Sequence, residues 1–389
     1  MCRNARILLV ISGLFTFSMG LSNIFISVFF WRQTNDFVVI ALYNLIINII
    51  TPIVFVFSGL LSKKKNGIWP LRIGLVIYAL FYSLILYAGN KGVIYIYALG
   101  VINGIASGFY WLSFNVLSFN FTNLNNRDTF NGFNGCFTGI ASIVGPISAA
   151  FIISRFKGMI GYRVVFGLSF AIFIIIAFIS VVFKADIYHE KLDFKKALLS
   201  NSEEWGIVRK STFSWGLRDS VMLFIVNILA IQILKSELNL GKFAFIAAII
   251  ASASYVLVQK IIKPGHRKIS IIIGTSGMCI SILILALNIS FETLLIYAII
   301  DAFCMPFFII QLSSATFNVI DTNHDGNKRI EYMINRDIVL NGGRAISTGI
   351  LIILLLVFKN MSILKVYLIF LSTVPLVAGY FLRKLKAVE

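Results

Sequence analysis

Thr16-Phe17-Ser18-Met19-Gly20-Leu21 recurs 196 residues later as Thr212-Phe213-Ser214-Trp215-Gly216-Leu217, with five of the six residues identical. A second echo joins Asn126-Arg127-Asp128 to Asn335-Arg336-Asp337 at an offset of 209, the excess being assigned to a longer loop at 320–335. Each member of both pairs lies in, or leads into, a long apolar run, so the duplicated unit is one that crosses a membrane. Composition agrees. Of 389 residues 59% are hydrophobic and 13% charged, with 36 Phe and 6 Pro, whereas a soluble globule carries about 25% charged residues. Disordered and collagen-like chains are excluded by the same figures.

Twelve apolar runs of roughly 20 residues, each able to cross ~30 Å of hydrocarbon, centre on 7–31, 37–61, 71–89, 93–119, 130–153, 162–183, 212–234, 241–262, 269–288, 293–319, 337–358 and 363–382. Both repeats therefore pair a span with the one six places on. Six is even, so the two halves face the same way and are related by an axis along the membrane normal. The expected organisation is an amino-terminal six-helix bundle over 1–184, a cytosolic connector over 185–207 and a second six-helix bundle over 208–389.

The formal charge is +18. With the amino end in the cytosol, inner segments hold 23 Lys and Arg, outer loops 9, and two lie within spans. That bias places both termini in the cytoplasm and assigns the charge to topology and anionic lipid, not to nucleic acid. Arg3 and Arg6 precede the first span as they would a secretory signal, but its length reads as a retained helix. Cys2, Cys136, Cys279 and Cys304 form no C-x-x-C pair, so neither a disulfide framework nor a zinc site is expected.

The arithmetic of six plus six around a connector resembles the major facilitator superfamily. Span five adds Ala141-x-x-x-Gly145-Pro146-x-x-Ala149-Ala150, which is similar to that family's antiporter motif with Ala in place of three glycines; Gly135 and Gly139 extend the small face. Small residues at this spacing let helices approach closely, and Gly-Pro permits a bend. The loop after span two departs from the family signature: Gly59-Leu60-Leu61-Ser62 fits, but Lys63 stands where an Asp is usual and Asn66-Gly67 replaces the closing basic residues. The resemblance implies an all-α fold and a secondary transporter that rocks two halves about a midplane site, with Gly139, Gly145 and Pro146 as an outer hinge. Through the span-five motif it implies proton-coupled export of a small amphipathic or anionic solute. The implied partners are that solute, protons and membrane lipid, the implied state a monomer; no cofactor is expected.

Ionisable residues within spans are expensive unless paired or wetted. Four qualify: Arg218, Asp219, Asp301 and Arg344. Neighbours on a helix diverge by about 100°, so Arg218 and Asp219 are expected to meet different partners. Asp301 reads as an isolated carboxylate one turn before Pro306 and is the first candidate for proton coupling, with Asp219 the second; a salt bridge with an arginine is its rival reading. Asp337, Asn341, Arg344 and Thr348 fall on one face of span eleven and form a polar stripe that lipid would penalise. Arg218, Arg344 and Asn341 are candidates for substrate or gating contacts, the alternative being structural ion pairing, or glue between spans eight and eleven. Asn23, Asn44, Asn48, Asn103, Tyr110, Trp111, Asn115 and Gln311, with Asn134, are candidates for the cavity wall, Tyr110 and Trp111 as a stacking surface or as ordinary packing.

Two loop features remain. Ser200 and Glu203 have capping-box spacing and are expected to start a helix that runs into span seven, behind an amphipathic stretch around Phe194 and Leu198. Asp321-Thr322-Asn323-His324-Asp325-Gly326 resembles the opening of a calcium loop, but Tyr332 stands where the closing Glu is needed, which favours a polar turn. No nucleophile–base pattern or phosphate-binding loop is present, so no enzymatic activity is expected.

Overall fold

The structure is a computed structural model that describes residues 2–122, 127–156, 158–183, 191–199, 202–262, 264–322, 328–358 and 362–385. Its helices are α1 (Arg3–Thr34), α2 (Phe37–Lys64), α3 (Ile68–Ala88), α4 (Ile96–Asn120), α5 (Arg127–Arg155), α6 (Ile160–Val181), α7 (Phe194–Leu198), α8 (Glu203–Leu234), α9 (Glu237–Ile261), α10 (Arg267–Leu287), α11 (Phe291–Thr322), α12 (Arg329–Phe358) and α13 (Ser362–Leu382). Among the described residues, twelve are long and apolar enough to cross a membrane, all but the five-residue α7. Even the 21-residue α3 reaches about 32 Å at 1.5 Å per residue. Spans seven to twelve are thus α8 to α13.

Backbone chemistry sets the ends. Asp36 Oδ1 accepts from Val38 N at 2.8 Å to start α2. Ser202, not Ser200, caps α8, its hydroxyl accepting from Trp205 N at 3.2 Å; Ser200 lies outside the described residues. The capping-box expectation therefore failed by two residues, because a second serine competes for the same orphan N–H groups. The expected loop at 320–335 is also shorter than that, since α11 continues to Thr322 and α12 begins at Arg329. Residues 323–327 of the calcium-like loop are not among those described.

The duplication is visible in the backbone. α1 and α8 are each 32 residues long and each ends on a non-glycine residue in the left-handed region, Asn35 at φ 51° and Lys235 at φ 54°. Two residues later the next helix has begun. The chain divides into two compact units, one of Met1–Asp193 with Ser236–Phe245 and one of Phe194–Lys235 with Ile246–Glu389. In the first, α1 crosses α5 where a Cβ on Gly145 would stand 2.8 Å from the carbonyl carbon of Gly20. In the second, α8 crosses α12 at the repeated glycine: a Cβ on Gly343 would stand 3.1 Å from Leu217 N and collide with Phe213 O, and one on Gly216 would collide with Leu340 O. The repeated hexapeptide is thus a helix-crossing element, present once in each unit.

Gly343→Ala is accordingly expected to melt several degrees below Gly349→Ala in detergent. Both gain the helix propensity of alanine, about 1 kcal/mol. A Cβ at Gly349 meets nothing within 4 Å, so only the first variant forces two backbones apart, at about 1–3 kcal/mol. Equal melting temperatures would rule out a tight crossing.

Aromatic packing fills the core of the first unit. Phe15 stacks on Tyr110 with ring centroids 3.5 Å apart, and Tyr78, Tyr82, Phe166 and Phe173 complete the cluster. In the second unit Trp215, Met278, Phe308 and Leu312 are buried together.

Candidate functional site

The Gly216–Gly343 crossing fixes which side chains of α8 and α12 can meet. Asp219 lies one turn after Gly216 and Arg344 directly after Gly343, so the closely packed backbones bring the two side chains together. Arg344 Nε donates to Asp219 Oδ2 at 2.9 Å, and Arg344 Nη2 makes a second contact with the same oxygen. Arg218, about 100° round the helix, points at another neighbour and pairs with Asp301 of α11 through its Nη2. The expectation that adjacent charges meet different partners holds. The expected isolation of Asp301 does not: its carboxylate is held by Arg218, because α8 and α11 pack together.

The two pairs differ in access. The side chains of Arg218 and Asp301 are 4% and 14% exposed. Trp215 lies under the guanidinium at 5.1 Å, and the phenol of Tyr297, one turn before Asp301 on α11, interacts with both members of the pair. Asp219 and Arg344 are each 28% exposed. An ion pair left open on a spanning helix is costly against lipid and not against water.

The span-eleven stripe is one connected network. Arg344 Nη1 donates to Asn341 Oδ1 at 3.3 Å, Asn341 Nδ2 donates to Asp337 Oδ2 at 2.9 Å and to Asp337 O at 3.1 Å, and the Thr348 hydroxyl donates to Arg344 O at 2.7 Å. Its interhelical partner is α8, span seven, and not span eight as the gluing alternative had it.

The remaining sequence candidates scatter. Tyr110 is buried, and Phe15, on which it stacks, and Phe114 flank its ring, so packing accounts for it and no face is left for a solute. Trp111 is exposed, with its ring edge-on to Phe15. Gln311 is buried and donates to Ser270 Oγ of α10 at 3.5 Å, which places it in helix packing instead of on a wall. Asn103 donates to the Tyr43 hydroxyl at 2.7 Å while its Oδ1 is buried without a partner. Asn44 bonds back to Ile40 O within its own helix at 2.8 Å. Asn48 is buried, Asn23 is exposed, and Asn115 and Gly139 are half-buried. Pro146, like Gly145, sits against Gly20 of α1.

Three features escaped the sequence reading. Tyr297 and Tyr255, of α9, lie beside the charged pairs; nothing in so aromatic a chain marks them. In the first unit Arg32 pairs with Glu237 at 2.9 Å, and the Tyr162 hydroxyl donates to Glu237 Oε1 at 2.8 Å, tying the ends of α1, α6 and α9. An apolar groove of about 380 Å³ lies between α1 and α5, lined by Leu9, Gly13, Phe17, Phe137, Ile140 and Val144 among others. Among the described residues no three His, Cys, Asp or Glu side chains gather to hold a metal ion.

Residues 8–326 match the Major Facilitator Superfamily. An uncharacterized protein of Bacillus subtilis (strain 168), YqgE, is 33% identical over 356 residues, 91% of this chain and 83% of that protein. Among solved structures, the nucleoside transporter NupG superposes with a TM-score of 0.72 at 12% identity, covering 99% of this chain and 100% of that one. The Escherichia coli fucose:proton symporter FucP gives 0.66 at 14% identity, with 98% of each chain covered.

Proposed function

The chain belongs to the major facilitator superfamily, a family of membrane transporters and not of enzymes, and from that premise we propose that it moves a small solute across the cytoplasmic membrane by alternating access coupled to protons. Two six-helix halves, 1–184 and 208–389, joined by the connector 185–207, would present the solute site to either side, with both termini in the cytoplasm. The observation that carries the proposal is the pair of back-to-back Arg–Asp contacts on α8, one sealed and one open.

A proton carrier must be reached by water and must change its partner when it is protonated. Asp219 meets both conditions. A neutral Asp219 no longer holds Arg344, so protonation alters a contact between α8 and α12 and can bias an open/closed equilibrium by differential stabilisation. Asp301, enclosed with Arg218, is assigned the structural share of the charge. Gly139, Gly145 and Pro146 serve as the hinge. The apolar groove beside α1 favours a second reading, in which the solute is amphipathic or a lipid and needs no titrating group.

The test is a substrate screen in proteoliposomes with and without an imposed pH gradient, with Asp219→Asn and Asp301→Asn alongside. Asp219→Asn is expected to carry flux that no longer responds to the gradient. Gradient-dependent flux in that variant would end the assignment to Asp219, and gradient-independent flux in the wild type would favour the second reading.

A further inference from the structure

The two members of the open pair are not held alike. Arg344 is tethered: Asn341, itself fixed by Asp337, accepts from Nη1 at 3.3 Å, and Thr348 holds its backbone carbonyl. Asp219 has no such backing, for the hydrogen bonds to its carboxylate among the described residues come from Arg344. The charged and titratable groups around Asp219 are Arg344, and beyond it Asp337 and Arg336, on α12; Tyr255 on α9; and Arg218 on α8 itself, turned to Asp301 and Tyr297 of α11; of the titratable groups on α13, Lys365, Tyr367 and Tyr380, the Tyr367 hydroxyl is engaged with Ser347. When Asp219 is neutralised, the guanidinium therefore stays in place with Nε and Nη2 vacated, two parallel donors of the geometry that recognises carboxylate, sulfonate or phosphate.

Resting on the transporter reading above, we infer that the solute is an anion bound by the Nε–Nη2 edge of Arg344, and that it travels in the same direction as the proton on Asp219. The sign comes from linkage. A proton on Asp219 and an anion on Arg344 each remove the competitor of the other, so they bind cooperatively and the loaded carrier holds both. A cation would instead compete with the proton for Asp219, giving exchange in opposite directions, but it would have to displace the tethered Arg344. The small-residue motif of α5 does not argue against this direction, because Gly145 on Gly20 has a packing counterpart in Gly343 on Gly216. The motif is accounted for by helix contact in each unit.

The test uses full-length protein in detergent, with benzenesulfonate as the anionic probe and tetraethylammonium as the cationic one, each titrated against melting temperature from pH 5.5 to 8. In the wild type the half-saturating benzenesulfonate concentration should rise with pH, by up to about tenfold per unit, the limit for one linked proton. In Asp219→Asn it should be independent of pH and at pH 8 at least tenfold lower than in the wild type; adding Arg344→Ala should abolish it. The inference is overturned if Asp219→Asn binds the anion no more tightly than the wild type at pH 8, or if tetraethylammonium binds the wild type more tightly as pH rises. Should Asp219→Asn fail to fold, the wild-type pH series decides alone. Failure of the transport reading shows separately, as absence of gradient-driven flux in vesicles whatever the probes do.

Discussion

Arg218→Ala is expected to yield almost no folded protein, and Arg218→Ala combined with Asp301→Ala to recover most of it. The single change leaves the Asp301 carboxylate in a site where it is 14% exposed, beside Tyr297 and the sulfur of Cys304, with no cation in contact. Stranding a buried charge costs about 3–5 kcal/mol, against a total stability of about 5–15 kcal/mol for a typical domain. Removing both charges eliminates the penalty, and apolar replacement of a buried pair is commonly neutral. Arg344→Ala makes the contrast, since an ion pair whose members are each 28% exposed contributes about 0–1 kcal/mol; that variant should fold and lose flux. The measurement is the yield of monodisperse protein in detergent together with its melting temperature. A single variant as stable as the wild type, or a double variant no better than the single, would show that the sealed pair is not what joins α8 to α11.

The contrast between the pairs explains how far the sequence could be read. Hydropathy alone places the twelve spans, because the bilayer demands a long apolar run for each. The repeat around Gly20 and Gly216 was legible as a duplication, but not as a crossing: that needed the partners Gly145 and Gly343, whose spacing along the chain carries no signal of contact. Charges inside spans were legible because the membrane makes them rare. Which carboxylate each arginine takes was not, since that depends on helix neighbours and on a 100° rotation between adjacent residues. The misreading of Asp301 as isolated has this cause, as does the placing of Tyr110 and Gln311 on a cavity wall. At the offset of 196, Ser22 and Asn23 stand in the first copy where Arg218 and Asp219 stand in the second, so the charges occupy one copy of a shared helix crossing and are not required by the crossing.

Asn335→Leu is expected to release the connector helix α7 and raise the rate of tryptic cleavage after Lys195 or Lys196 at least tenfold. Asn335 is the residue the second sequence echo shares with Asn126, which lies outside the described residues. Its carboxamide is buried and acts at both ends: Nδ2 donates to Ala197 O of α7 at 3.1 Å, and Oδ1 accepts from Trp205 Nε1 of α8 at 2.9 Å. Trp205 packs edge-on against Tyr332 of α12, and Lys196 lies over the same ring at 5.2 Å. Leucine preserves bulk but strands a carbonyl and an indole N–H, each at about 1–3 kcal/mol. α7 has only five residues, too few to persist alone, so losing this fork should unwind it and not merely loosen it. Asn44→Leu is the control, since the Asn44 carboxamide bonds to Ile40 O within its own helix; its digestion should match the wild type. If Asn335→Leu is cleaved at the wild-type rate, α7 is held by apolar contacts alone and the connector is not fastened to α12 through this side chain.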